Sequence, residues 1–194
     1  FVNAVRHGIS PEGKHYYPSF PYTAYVNMTD QDIADLWVYF RSIPESSIPS
    51  IDHDLPIYVR WRRPLAFWKL LNKREPIIEL ASSDATIQRG GYLVETLGHC
   101  AECHTPRNFV GGLQYEYWLG GAKNPTGRGM IPNITPAKLT WNIEEIVEYL
   151  ASGFTPDFDV VGGHMADVVE NTAKLTEEDR LAIAEYLKAI PGVE

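Results

Sequence analysis

An internal repeat is the feature of this 194-residue sequence that most limits its fold. Residues 29–44 match residues 176–191 at a constant offset of 147: a threonine and acidic residues precede apolar residues spaced three and four apart, then a proline. This pattern predicts two helices, each with threonine as its N-cap, acids in its first turn and proline at its end. Residues 1–11 match residues 146–156 at an offset of 145 and predict a shorter helix that ends at a glycine.

The repeat also predicts the domain organisation. Residues 81–194 form a complete copy, and residues 1–44 correspond to the C-terminal half of a first copy whose front half is absent from this chain. Residues 45–80 are rich in proline and basic side chains, which predicts an extended, proline-stiffened connector. The aromatic residues Trp61, Phe67 and Trp68 indicate that the connector packs on something. Its basic run is either a solvated face or a docking site for an acidic partner.

Composition excludes several classes of protein. Hydrophobic residues make up 44% of the chain and charged residues 22%, a balance typical of globular proteins. No apolar run approaches the roughly 18 residues of a membrane-spanning helix, so none is predicted. The net charge of −8 argues against nucleic acid, because phosphate binding needs clustered Lys and Arg. Residues 1–80 are neutral overall, whereas residues 81–194 carry 8 basic and 16 acidic side chains, so the two halves face different partners or different solvent.

The chemistry of the complete copy lies in the run Cys100-Ala101-Glu102-Cys103-His104, which follows a helix predicted over residues 87–98. C-x-x-C-H is the attachment signature of c-type haem: the two thiols bond to the haem vinyl groups, and the histidine binds the iron. A structural zinc site would need a second ligand pair, which the sequence does not contain at ligand spacing. A thioredoxin-like redox pair would need a strand and helix context that is also missing. The sequence therefore predicts Cys100 and Cys103 as attachment residues and His104 as the proximal ligand.

A six-coordinate haem iron needs a second axial ligand, and Met165 is the best-placed methionine. It follows a glycine-containing loop that can bring backbone close to a haem face, and it precedes the last helix. The alternatives are that Met165 fills a gap in the core, or that the adjacent His164 is the ligand. Met130 is expected in the wall of the pocket.

Three motifs resemble the second haem domain of multihaem cytochrome c proteins, which include the cytochrome subunits of periplasmic dehydrogenases. They are residues 91–94 (Gly-Tyr-Leu-Val), residues 98–108 around the C-x-x-C-H run, and residues 132–135 (Pro-Asn-Ile-Thr). The resemblance implies that Pro106 supports the proximal histidine, that Arg107 binds a haem propionate, and that Asn133 belongs to the cofactor-binding residues. The alternative for Arg107 is a surface arginine.

Residues 17–22 and 28–30 resemble the end of a preceding haem domain, with one departure. Members of the group often have Met where this chain has Phe20, which aligns with Met165 at the offset of 145. Met28 is therefore the candidate axial ligand of a second haem, followed by His15; the alternative for Met28 is a hydrophobic contact at the start of a helix. A second C-x-x-C-H motif is expected about as far upstream of Phe1 as His104 lies before its repeat counterpart Ile146, 42 residues.

The sequence thus predicts an all-α protein of cytochrome c type that transfers electrons in the bacterial periplasm. An iron with His and Met ligands has no open position for substrate and suits outer-sphere electron transfer. The expected partners are a periplasmic dehydrogenase and a downstream acceptor, with membrane association through a partner or a missing terminus. The alternatives are a haem enzyme of the dihaem peroxidase or thiosulfate dehydrogenase type, and a docking subunit of a dehydrogenase complex.

Overall fold

A computed structural model describes residues 1–72, 83–125, 127 and 129–194. The chain divides into two compact units, unit 1 at Phe1–Glu75 and unit 2 at Pro76–Glu194. The described residues are mostly helical, as predicted, with one two-stranded antiparallel ladder in unit 2. In this described part of the chain, no helix combines the length and the apolar character that crossing a bilayer requires.

The elements follow one another along the chain. Unit 1 contains α1 (Val2–His7), α2 (Tyr22–Tyr25), α3 (Asp30–Ser42), a 3-10 turn (Ile57–Val59) and α4 (Pro64–Leu71). Unit 2 contains α5 (Ala85–Gly91), a π-helix (Tyr92–Leu97), α6 (Ala101–His104), a 3-10 turn (Tyr115–Tyr117), β1 (Ala122–Lys123), β2 (Met130–Ile131), α7 (Ile143–Ser152), α8 (His164–Thr172) and α9 (Glu177–Ala189).

The two long repeated helices, α3 and α9, have the predicted ends. The Thr29 hydroxyl accepts a hydrogen bond from the Asp32 backbone N–H at 3.1 Å, and Thr176 does the same for Asp179 at 3.2 Å. Each helix is 13 residues long and stops two residues before its proline. The residue before a proline is sterically excluded from the helical region, so the stop is set locally.

The repeat extends to a pair of hairpins. α1 and α7 end at Gly8 and Gly153, which have φ of 56° and 78°. Each glycine is followed by a hairpin closed by one bridge, Ile9 to His15 in unit 1 and Phe154 to Val160 in unit 2, which correspond at the offset of 145. The backbone hydrogen bonds that close the hairpins also correspond, from Tyr16 N–H to Gly8 O at 2.7 Å and from Val161 N–H to Gly153 O at 2.8 Å.

The core of unit 2 forms where α5 and α7 pack against α9. A Cβ atom at Gly90 would lie 1.9 Å from the Ala182 carbonyl oxygen, so only glycine permits this close approach. Gly91 lies against the Tyr186 ring. The helix predicted over residues 87–98 is not uniform: it begins at Ala85 and widens to a π-helix at Tyr92.

The segment predicted as an extended connector contains the helix α4. Pro64 lies in its first turn, where the missing N–H costs nothing and the fixed φ favours helix; the apolar residues that follow continue it. The prediction of an extended segment is therefore wrong for residues 64–71, and residues 73–80 lie outside the described part. The domain boundaries 1–44, 45–80 and 81–194 stay a prediction.

Candidate haem-attachment site

The two cysteines lie on a single helical turn of unit 2. The backbone N–H groups of Cys103 and His104 both donate to the Cys100 carbonyl, at 3.2 and 3.0 Å. Because residues three apart lie on the same side of a helix, this turn gives the two thiols a common face. The thiols are free: Cys100 is half-buried and Cys103 is exposed.

His104 is buried and its ring is fixed by one hydrogen bond. Its Nδ1 lies 2.8 Å from the Pro132 carbonyl oxygen. A carbonyl can only accept, so Nδ1 carries the proton and the lone pair belongs to Nε2. A histidine that ligates metal typically donates its other ring N–H to such a group, which fixes both the tautomer and the ring orientation. The donor set of this turn, two free thiols and one oriented imidazole, therefore fits a covalently attached haem.

Burial changes the acid–base properties of this turn. It lowers the pKa of His104, although the hydrogen bond to Pro132 acts in the opposite direction. The neutral imidazole, the form that binds metal, is thereby favoured. Burial also raises the pKa of the Cys100 thiol to about 11, so this thiol is protonated at neutral pH until it reacts.

A loop between α6 and α7 brings Pro132 to the histidine. The His104 carbonyl accepts from the Gly121 N–H at 2.7 Å, and the Thr105 hydroxyl accepts from the Leu119 N–H at 2.9 Å. Leu119 in turn accepts from the Ile134 N–H at 3.0 Å, which closes the loop beside Pro132. These hydrogen bonds hold the loop that supplies Pro132 against His104 and Thr105.

The π-helix connects the core to the cysteine turn. Its end is closed by a 2.7 Å hydrogen bond from the Gly98 N–H to the Leu93 carbonyl, and the Cys100 N–H reaches the Val94 carbonyl at 3.0 Å. Its buried Glu95 carboxylate accepts a short hydrogen bond from the Tyr186 hydroxyl of α9. The pair joins the segment before Cys100 to the C-terminal helix.

The methionine and histidine considered as distal ligands lie at the start of α8. Met165 is half-buried in the first turn, and His164 is exposed beside it. Gly163, with φ of 59°, precedes them. Met130, expected in the pocket wall, is exposed on β2. The ligand role of Met165 stays a prediction.

The three residues implied by the family resemblance have protein partners. Arg107 donates to the Glu102 carboxylate and, at 2.8 Å, to the Gly111 carbonyl. The Asn133 amide donates to the Val193 carbonyl at 2.7 Å, and its oxygen accepts from the Thr135 hydroxyl at the same distance. These contacts give Asn133 a structural role, and its cofactor role stays a prediction. Pro106 is half-buried two residues after the histidine.

In unit 1, Met28 is buried just before α3, and Phe20 is exposed before α2. Burial of Met28 agrees with the hydrophobic alternative weighed above. Its role as the ligand of a second haem stays a prediction.

Sequence reasoning missed the orienting carbonyl of Pro132 and the Glu95–Tyr186 pair. The run 132–135 was visible as a motif, but a backbone carbonyl carries no signature of its contact with a residue 28 positions earlier. A glutamate in an otherwise apolar helix face was the available signal for the second contact.

The helical fold of this unit and its C-x-x-C-H turn are consistent with the fold of cytochrome c. No protein-family model matches the chain. It is 53% identical over 192 residues to "Diheme cytochrome c-type" of Cereibacter sphaeroides, a match that covers 99% of this chain and 65% of the relative. It is 35% identical over 200 residues to the fructose dehydrogenase cytochrome subunit of Gluconobacter japonicus, covering 99% of the chain and 40% of the relative.

A third relative is the cytochrome c subunit of an alcohol dehydrogenase (quinone) of Gluconobacter oxydans, 34% identical over 212 residues, with 43% of its length covered. Along nearly its whole length the chain therefore matches the multihaem cytochrome c family. It spans just under two thirds of the first relative and about two fifths of the other two.

Proposed function

We propose that the chain is an electron-transfer cytochrome c with haem bonded to Cys100 and Cys103 and with His104 as its proximal ligand. The observation that carries this proposal is the hydrogen bond from His104 Nδ1 to Pro132, which leaves Nε2 as the donor atom. The bound haem supplies one-electron exchange at its iron. The chain's own contribution is to hold the imidazole neutral and oriented, and to exclude water by burying it.

Met165 is the proposed distal ligand. It is half-buried in the first turn of α8, directly after a glycine at positive φ that lets the backbone turn sharply there. A thioether ligand fills the sixth position and raises the reduction potential, which suits electron transfer and leaves no vacant site for substrate. Arg107, Pro106 and Asn133 are proposed to border the haem.

Location and partners rest on the names of the relatives. Two of the three relatives named above are cytochrome subunits of dehydrogenases, one of a fructose dehydrogenase and one of an alcohol dehydrogenase. We propose that this chain likewise accepts electrons from a dehydrogenase in the periplasm and passes them to a respiratory acceptor. Covalent attachment of haem c takes place after export, which supports this location.

The experiment combines haem staining with matched methionine variants. The polypeptide should keep its haem stain after denaturing electrophoresis, and a colourless band contradicts the proposal. Met165→Ala should let the reduced protein bind carbon monoxide, whereas Met130→Ala, an exposed methionine, should not. Met165→His should stay six-coordinate at a lower potential. An unchanged spectrum and potential in Met165→Ala would assign the ligand elsewhere, with His164 the first residue to test.

Unit 1 is proposed to be the C-terminal half of a second haem domain. In unit 2 the equivalent helix, α9, is covered by α5. In unit 1 the corresponding face of α3 is exposed, and a groove of about 470 Å³ opens beside it, lined by Phe1, Val2, Ile33 and Trp37. The missing cover is proposed to be an upstream helix with its own C-x-x-C-H motif. Haem absorbance per mass of the intact protein tests this: two haems or more support it, and one contradicts it.

A further inference from the structure

The connector carries an apolar, basic surface that the repeat does not explain. The repeat gives no comparison for residues 55–72, because the offset of 147 places their counterparts beyond residue 194. The segment contains Arg60, Arg62, Arg63 and Lys69 and no acidic residue, although the chain as a whole has a net charge of −8. We call residues 57–71 the basic apolar surface.

The helix α4 is apolar on two sides. Phe67, Leu70 and Leu71, spaced three and four apart, form an outer stripe in which each residue is between 64% and 71% exposed. Leu65 and Trp68 are half-buried on the inner side. Ile57 and Trp61, just before the helix, are also exposed and extend the apolar area. A helix that is apolar all round normally lies in a protein core or in lipid.

Specific contacts hold the inner side of this segment to unit 1. The Lys69 ammonium donates to the carbonyls of His7 and Gly8, the latter at 2.8 Å, and lies 4.4 Å from the centre of the Tyr22 ring. The Tyr17 hydroxyl donates to the Val59 carbonyl at 2.9 Å. Because the inner side is fixed, the orientation of the outer stripe is set by the fold.

Arginines border the exposed apolar residues. Arg60 donates to the Leu55 carbonyl at 2.8 Å, and the Arg62 guanidinium lies 4.8 Å from the centre of the Tyr17 ring. The two arginines flank Trp61 in the sequence. Aliphatic and aromatic side chains flanked by arginine, without acidic residues, are typical of segments that lie in the interface of an anionic bilayer.

We propose that the basic apolar surface binds the surface of an anionic lipid bilayer, with Phe67, Leu70 and Leu71 inserted at the level of the headgroups. Charge decides the occupant: Arg60, Arg62 and Arg63 complement anionic lipid, and the segment offers no carboxylate to a basic protein. The surface binds without spanning, since α4 has eight residues. It would keep the cytochrome at the membrane independently of which ligands hold its haem.

The test measures vesicle binding of the haem-loaded protein by co-sedimentation, quantified by protein stain. Vesicles of phosphatidylcholine alone are compared with vesicles of equal parts phosphatidylcholine and phosphatidylglycerol. We expect binding to the anionic vesicles that falls at high salt, and a loss of about tenfold for each of Phe67→Gln and Leu71→Gln. The matched control is Phe109→Gln, a fully exposed phenylalanine in unit 2, which should bind like the wild type. Equal binding by all variants overturns the proposal.

A fluorescent label on the surface itself tests whether the vesicles bind there or at another part of the protein. Leu70→Cys, labelled with a polarity-sensitive fluorophore, should shift to the blue on adding anionic vesicles, and Phe109→Cys labelled in the same way should not. If the fluorescence of the label at residue 70 does not change with vesicles and shifts only when a dehydrogenase is added, this surface binds a protein and the proposal is overturned. Because co-sedimentation is quantified by protein stain, a protein without haem would fail the earlier test without changing the vesicle-binding result.

Discussion

The helices α3 and α9 are repeats of each other, yet one is exposed where the other is buried. Tyr186 of α9 is 1% exposed, and its counterpart Tyr39 of α3 is 61% exposed. The caps, lengths and ends of the two helices agree. The difference arises from α5, which covers α9, whereas no helix among the described residues of unit 1 covers Tyr39. Local sequence therefore sets the helix, and a distant segment decides whether its apolar face is buried.

We expect the largest effect on stability from a comparison of alanine substitutions at the two equivalent tyrosines, Tyr186 and Tyr39. Tyr186→Ala should lower the free energy of unfolding of unit 2 by about 3–5 kcal/mol, because it leaves a cavity and removes the hydroxyl that donates to the buried Glu95 carboxylate. In the chain of residues 1–194, Tyr39→Ala should cost less than about 0.5 kcal/mol. Denaturant unfolding followed by circular dichroism measures both. A similar cost at the two positions would mean that the face of α3 is already covered.

The second comparison concerns the glycines at the ends of α1 and α7, which the two units share. Gly8→Ala and Gly153→Ala should each cost about 2 kcal/mol, because φ is positive and a Cβ would lie 2.3 Å from the Tyr22 ring or 2.7 Å from Val161 Cγ1. The control is Gly13→Ala, which has positive φ but open space around it and should cost about 1 kcal/mol. If Gly8→Ala is no worse than this control in thermal unfolding, the hairpins are not equivalent.

The smallest expected effect concerns an ion pair at the start of α9. Arg89 of α5 binds the Asp179 carboxylate through two hydrogen bonds, at 2.8 and 2.9 Å, and thereby lowers the pKa of Asp179. Asp179→Asn should therefore cost about 0.5–1 kcal/mol at neutral pH. A carboxylate with a lowered folded-state pKa stabilises above its unfolded value and loses this contribution as pH falls through the folded value. The difference between variant and wild type should begin to shrink below about pH 4, the ordinary pKa of a free Asp carboxyl, and should disappear once the pH lies below the lowered folded-state pKa.

The counterpart Asp32 supplies the control for this prediction. Its carboxylate accepts from the Thr29 hydroxyl at 2.6 Å, a contact that asparagine retains. Asp32→Asn should change the melting temperature less than Asp179→Asn at neutral pH. Equal shifts in melting temperature would show that the ion pair with Arg89 adds no stability beyond that of the acidic residue in the first turn of the helix.

The sequence predicted what depends on neighbours along the chain. Thr29 and Thr176 act as caps, Gly8 and Gly153 end helices, and all four positions follow from the residues beside them. Contacts between distant positions were not predictable, such as that of His104 with Pro132. The helix α4 was missed for a different reason: several prolines suggested an extended chain, but Pro64 stands where a helix tolerates it.

The π-helix at Tyr92–Leu97 sets the angle at which the cysteine turn leaves the core. An α-helix advances about 100° per residue, and a π-turn accommodates one extra residue within a turn. The extra residue keeps Gly90 and Gly91 against α9 and changes the direction in which the chain after Leu97 leaves the helix. Deleting one residue from this segment would keep both the glycine contact and the C-x-x-C-H motif. It would nevertheless rotate the two thiols by roughly a quarter-turn from their present direction.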